Sequence, residues 1–283
     1  MEKPMRIALS QLVAEPDPKA NLALVEAGVA DAAARDARVV VFPEATMACF
    51  GIPLGPVAEP LDGPWASTVR DLACEAGVVV VAGMFTPAAG GRVTNTLLIT
   101  GPGVDDHYDK IHLFDAFGFT ESKTVAPGTR PVTFQVDDLT LGVATCYDVR
   151  FPELFTTLAA RGATATLLAA SWGAGPGKRD QWELLVRARA LDSTSWVLAC
   201  GQADPETIGR QPIGTAPSGI GHSMAVSPLG EVRARLGAEP GLLVVDIEPD
   251  QVRTARAAVP VLANRRFATT APDDGTGTSV STP

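Results

Sequence analysis

The chain is poor in the side chains that hold metal ions and disulfides. It has three histidines and four cysteines in 283 residues. Cys49, Cys74, Cys146 and Cys200 are scattered without a Cys-x-x-Cys pair, and His107 and His112 stand five apart with no His-Glu-x-x-His motif. These spacings argue against a zinc site or a disulfide framework and point to free thiols in a reducing cytoplasm. Runs of Lys or Arg are also lacking. With a net charge of −9, nucleic acid and anionic membranes are not expected partners. No apolar window is long enough to span a bilayer, and the opening Met1-Glu2-Lys3-Pro4-Met5 has no signal-peptide core, so a cytoplasmic location is expected. Lysine itself is scarce: Lys3, Lys19, Lys110, Lys123 and Lys178 are the only five, and arginine carries most of the positive charge.

What the chain does have is apolar bulk, 46% of residues, enough for one large α/β domain. Strand-like and helix-like stretches alternate. Residues 6–12 predict a buried strand, and 18–37 carry Leu22, Val25, Val29 and Ala33 at helical spacing. Further strands are expected at 38–42, 78–85, 132–136, 139–145, 164–170, 195–201, 222–227, 231–235 and 242–247. Helices are expected at 64–76, 152–161 and 179–192, and a hairpin at 94–108 around Gly101-Pro102-Gly103. The mixture of βα and ββ connections implies sheets with both parallel and antiparallel parts. Residues 1–270 read as one domain and 271–283 as a disordered tail. The Gly/Pro-rich 203–221 reads as a long surface or active-site loop.

Three segments carry chemistry. The apolar strand 139–145 stops at Cys146, and helix-like Pro152-Glu153-Leu154-Phe155 follows soon after. A thiol there would face free N–H groups of the next helix, a setting that lowers a thiol pKa and can hold an oxyanion. A buried structural cysteine fits the same pattern. Glu44 follows directly on Val39-Val40-Val41-Phe42-Pro43, at a strand's carboxyl end where α/β sites form, though a solvated loop glutamate would look alike. Lys110 stands between a strand and Ile111/Leu113. A Cys–His pair using His107 or His112 also remains open on composition.

Taken together, Val39-Val40-Val41-Phe42-Pro43-Glu44-Ala45, Asp109-Lys110-Ile111-His112-Leu113-Phe114-Asp115 and Gly142-Val143-Ala144-Thr145-Cys146-Tyr147-Asp148-Val149-Arg150 resemble the nitrilase superfamily of carbon–nitrogen hydrolases, in its order and at similar separations. The stretches 119–128, 182–197 and 221–232 extend the resemblance from about residue 6 to 264. It implies a four-layer α-β-β-α sandwich, an amidase without metal or organic cofactor, a small-molecule amide substrate, and a homodimer to which Val259-Pro260-Val261 contributes. It also implies roles: Cys146 as nucleophile, Glu44 as general base and acid, Lys110 as the cation at the oxyanion with the Tyr147 N–H as second donor, and Glu121 as support for Lys110. His222 is structural by the same resemblance.

Cys146-Tyr147-Asp148 differs from the Cys-Trp-Glu of nitrilases and is similar to the omega-amidase and deaminated-glutathione-amidase branch. That branch implies a carboxylate-bearing substrate. Arg150 is the candidate cation for it, unless it pairs with Glu153 or another acid. Trp172 is a candidate pocket wall or a core residue. Phe117 lies in a segment shorter than the omega-amidase pattern, where the family shapes its pocket. An N-carbamoyl amino acid hydrolase and a non-catalytic scaffold of the same fold are the alternatives.

Overall fold

The computed structural model describes residues 4–116 and 118–267. Phe117 and the 271–283 tail lie outside the described residues.

The long apolar runs become strands buried on both faces. In chain order the elements are β1 (Met5–Gln11), α1 (Pro18–Ala33), β2 (Val39–Val41), α2 (Pro64–Ala76), β3 (Val79–Pro87), β4 (Val93–Gly101), β5 (Val104–Asp109), β6 (Asp115–Ala116), β7 (Phe119–Thr120) and β8 (Val125–Ala126). The second half supplies β9 (Thr133–Val136), β10 (Leu139–Thr145), α3 (Pro152–Ala160), β11 (Ala165–Ala170), α4 (Lys178–Ser193), β12 (Trp196–Gly201), β13 (Met224–Val226), β14 (Val232–Arg235), β15 (Gly241–Ile247) and α5 (Pro249–Ala258).

One sheet runs β15-β1-β2-β3-β4-β5, with β8 beside β4; the other runs β14-β13-β12-β11-β10-β9. In each, a parallel trio is flanked by antiparallel strands: β1-β2-β3 in the first and β10-β11-β12 in the second. Successive side chains on a strand point to opposite faces. Ile7, Leu9, Val39, Val41, Val79 and Val81 therefore turn one way, against Leu141, Val143, Leu167 and Leu198 of the other sheet. Ala8, Val40 and Val80 turn the other way, onto Val25, Val29, Trp65 and Val69 of α1 and α2. Ala144, Leu168 and Val197 likewise pack under Leu154, Phe155, Trp182 and Val186 of α3 and α4. The result is the four-layer α-β-β-α sandwich with two mixed sheets.

The expected elements are present, with shifted ends. α1 stops at Ala33 rather than 37, because the chain turns through Asp36 at φ 57° to enter β2. α5 is an element the sequence pattern does not announce. Within it only Val252 and Ala255, besides its first residue Pro249, are buried, too few for a clear helical stripe. It caps the inter-sheet core with Val252, and Arg256 Nη2 donates to Ala163 O and Ser195 Oγ.

Gly83 fixes how the chain leaves β2. A Cβ on this β3 residue would lie 2.5 Å from Ala45 N and 2.7 Å from Pro43 O. The bare backbone lets the 43–47 segment lie directly on β3, with Met47 N donating to Gly83 O at 2.8 Å. Gly83→Ala is expected to lower the unfolding free energy by about 1–3 kcal/mol, the usual cost of overpacking. Urea unfolding followed by circular dichroism measures it, and an unchanged midpoint would refute the close approach.

Candidate active site

Segments leaving both sheets converge on one buried charge cluster. Glu44 comes three residues after β2, Lys110 just after β5, Glu121 from a short 3-10 turn, Glu121–Lys123, and Cys146 directly after β10. Lys110 Nζ donates to Glu44 Oε1 at 2.9 Å and to Glu121 Oε2 and Oε1 at 2.9 and 3.1 Å. All three side chains are almost fully buried. Buried carboxylates need several donors. Glu44 Oε1 also accepts from Asn95 Nδ2 at 2.8 Å, and its Oε2 from Ser171 N at 2.8 Å. Glu121 Oε2 accepts from Phe114 N, and its Oε1 from Asn95 Nδ2 at 3.3 Å. Gln202 Nε2 donates to Glu44 O at 3.0 Å, so the second sheet pins the first sheet's glutamate by backbone and side chain alike.

Cys146 has φ 47°, and Ala45, next to Glu44, has φ 59°. Non-glycine residues in this region carry strain, which proteins keep where a side chain must be aimed. Asp148 holds the turn: its Oδ2 accepts from Thr145 N at 2.8 Å and Tyr108 Oη at 2.7 Å, and its Oδ1 accepts from His112 N at 3.0 Å. The Cys146 thiol is buried and donates to Ser171 O at 3.6 Å. Burial first, then the Glu44 carboxylate, push its pKa well up, against the opposing pull of Lys110. For Lys110, burial acts to lower the pKa, but Glu44 and Glu121 outweigh it and the net shift is upward.

Two sequence expectations change here. Between Cys146 and α3 lies a 3-10 turn, Cys146–Arg150, so the nearest free N–H groups belong to that turn and not to α3. The thiol is raised rather than lowered, because desolvation and an adjacent carboxylate exceed what Lys110 offers.

The remaining candidates surround a cavity of about 50 Å³ that Glu44, Lys110, Glu121 and Cys146 line at its floor. Tyr147, Arg150 and Trp172 are in its wall, with Phe50, Phe114 and Phe119. Trp172 is both wall and core, since it also packs 5.3 Å from Trp182. Arg150 Nη2 donates to Gln181 Oε1 at 3.0 Å, not to Glu153, and its guanidinium lies over the Trp172 ring at 5.3 Å.

Nothing in the linear pattern marks Lys178, which lines the same cavity 5.9 Å from the Trp172 and Phe114 rings. Burial, then Arg150, lower its pKa. Asn95 is the other unmarked residue; an asparagine inside an otherwise strand-forming run was the available signal. The Ser171 backbone gave none. Neither His107 nor His112 lines the cavity. His112 stacks on Phe151 at 3.7 Å and places Nδ1 2.7 Å from Asp148 Oδ1. His222 sits in a positive-φ turn before β13, where its carbonyl accepts from Trp182 Nε1. The 203–221 loop reaches the cavity through Pro217, whose carbonyl accepts from Ser171 Oγ.

Comparison with known proteins bears on what such a cluster does. A family profile described as carbon-nitrogen hydrolase matches residues 6–257. A Mycobacterium tuberculosis protein described as a hydrolase is 56% identical over 268 residues, covering 92% of this chain and 95% of the relative. Deaminated glutathione amidase of Escherichia coli O157:H7 is 32% identical over 269 residues, covering 93% and 98%. Among solved structures, a variant of the amidase from Nesterenkonia sp. AN1, showing covalent addition of the acetamide moiety of fluoroacetamide at the active-site cysteine, superposes with a TM-score of 0.77 at 26% identity, covering 93% and 95%.

Replacing Lys110 by Met leaves two buried carboxylates without their cation. A loss of about 3–5 kcal/mol in unfolding free energy is expected. A raised lysine pKa contributes stability that is fully present below the ordinary value of 10.5 and is lost as pH climbs through the folded value. The deficit of Lys110→Met should therefore stay constant between about pH 7 and 9 in denaturant titrations. A deficit that fades over that range would contradict the assignment.

Proposed function

The chain belongs to the carbon-nitrogen hydrolase family, the nitrilase superfamily, and from that membership we propose that it hydrolyses a small carboxamide through a Cys146 thioester, with Glu44 and Lys110 completing the triad. The observation that carries this is the convergence of the buried Cys146 thiol and a carboxylate–ammonium pair on one cavity. Glu44 takes the thiol proton as sulfur attacks the carbonyl carbon. The oxyanion forms beside the Lys110 ammonium and the Tyr147 N–H. As the C–N bond breaks, Glu44 hands that proton to the departing nitrogen and ammonia leaves. Glu44 then deprotonates water, which attacks the thioester; the carbon–sulfur bond breaks and the thiol regains its proton. Glu121 acts through Lys110, holding the ammonium by both carboxylate oxygens.

The cavity supports a linear amide. Roughly 10–15 Å³ of such space takes one water, so about 50 Å³ suits a carboxamide head and little more. Arg150 and Lys178 at the wall support a substrate that carries a carboxylate beyond the amide. The aromatic lining, Phe50, Phe114, Phe119 and Trp172, offers a ureido group few partners and favours amide over N-carbamoyl substrates. Four free cysteines fit a reducing compartment, and among the described residues no helix is long and apolar enough to cross a membrane. Exposed Leu184, Leu191 and Val259 support assembly as a homodimer.

Ammonia release from omega-amides of dicarboxylic acids, deaminated glutathione, N-carbamoyl amino acids and nitriles tests the function. Release from carboxylate-bearing amides, lost in Cys146→Ala and lowered about a hundredfold or more in Lys110→Met, is the expected result. Arg150→Gln should raise KM for those amides with little change in kcat. Release from N-carbamoyl amino acids alone would replace amide by ureido hydrolysis, and Cys146→Ala at parent rate would remove the triad.

A further inference from the structure

Asn95 touches every charged member of the cluster. It lies on β4, fully buried, opposite Phe85 of β3. Its carbonyl accepts from Lys110 N at 2.9 Å, which sets where the lysine leaves β5. Its Nδ2 donates to Glu44 Oε1 at 2.8 Å and Glu121 Oε1 at 3.3 Å. The amide orientation follows from its neighbours, because the reverse would aim Oδ1 at two carboxylates. Among the described residues Oδ1 has no hydrogen-bond partner, so the side chain's only bonds are those it donates to the acids.

A carboxylate oxygen accepts about two hydrogen bonds. Glu44 Oε1 already has two, from Lys110 and Asn95, whereas Oε2 has one, from Ser171 N. We propose that Asn95 is a positioning residue that fills Glu44 Oε1, so that the Cys146 proton passes to Oε2 and is readily released again to ammonia. Hydrogen bonds donated to a carboxylate favour its charged form. Without Asn95 the cluster would hold a proton more tightly: thiol activation would need a higher pH, and proton delivery to the leaving nitrogen would slow. This rests on the amidase mechanism proposed above.

The test uses Asn95→Leu, which removes the donor at similar volume, and Asn95→Asp, which places a third carboxyl against the other two. Alkylation of Cys146 by iodoacetamide is followed across pH by mass spectrometry, and ammonia release by steady-state kinetics. In both variants the acidic limb of the alkylation profile should move up by about one pH unit or more, the size of one lost hydrogen bond to a charged group. On an active amide, kcat should fall about tenfold or more with KM nearly unchanged, because Asn95 does not line the cavity. An alkylation limb that stays in place, or kcat and KM moving together, overturns the proposal. Failure of both variants to fold overturns it too, by assigning Asn95 to the core. The parent is judged first: an inert parent Cys146 defeats the amidase mechanism itself, whereas a reactive parent with unshifted variants defeats the role of Asn95 alone.

Discussion

One lysine held between two buried glutamates is the constraint on which the rest of the site depends. Lys110 neutralises only one of the two charges of Glu44 and Glu121, so the cluster is formally anionic in a place almost closed to water. Hydrogen bonds from Asn95, Ser171 N and Phe114 N offset part of that desolvation. A thiolate at Cys146 would add a second negative charge, which is why burial and Glu44 push its pKa up. Moving the proton from sulfur to Glu44 relocates charge without adding any. In the mechanism proposed above, these electrostatics favour transfer to the carboxylate during attack over a standing thiolate.

The sandwich supplies the rigidity this needs. Glu44 emerges from the parallel trio of one sheet and Cys146 from that of the other, and the two sheets are tied together at that edge. Ser171 N and Gln202 Nε2, after β11 and β12, hold Glu44, while Ala203 N donates to Leu12 O. On the first sheet, Gly83 admits the Glu44 segment onto β3 and Asn95 reaches the same carboxylate from β4. Side chains set near strand ends over a close-packed core are held rigidly, which the oxyanion stabilisation proposed above would require.

Much of this was legible in the chain. Apolar runs such as Val39-Val40-Val41 and Leu139-Thr140-Leu141 announce doubly buried strands because a side-chain period of two makes both faces visible locally. Glu44 and Cys146 follow such runs, whereas Lys110 follows the polar stretch 104–109; the three were singled out together by the resemblance of their segments to the nitrilase superfamily. α5 did not show itself, since a short Ala/Arg-rich helix with few buried positions leaves no periodic trace. The partner of Arg150 was equally hidden: Glu153 is near in sequence, but the 3-10 turn aims the guanidinium toward Gln181 and Trp172.

The sequence by itself determined most of the strand-and-helix order, because that follows from local periodicity and turn chemistry, and its likeness to the nitrilase superfamily marked Glu44, Lys110 and Cys146 as the candidate site. Tertiary structure alone decided that burial and Glu44 push the thiol pKa up, that Ser171 and Asn95 complete the coordination of Glu44, and that Lys178 joins the cavity wall. Ser171 and Glu44 are 127 residues apart, and Asn95 and Glu44 are 51 apart. A proton's destination depends on desolvation and hydrogen bonds across such distances, and these exist only once the two sheets have closed on each other.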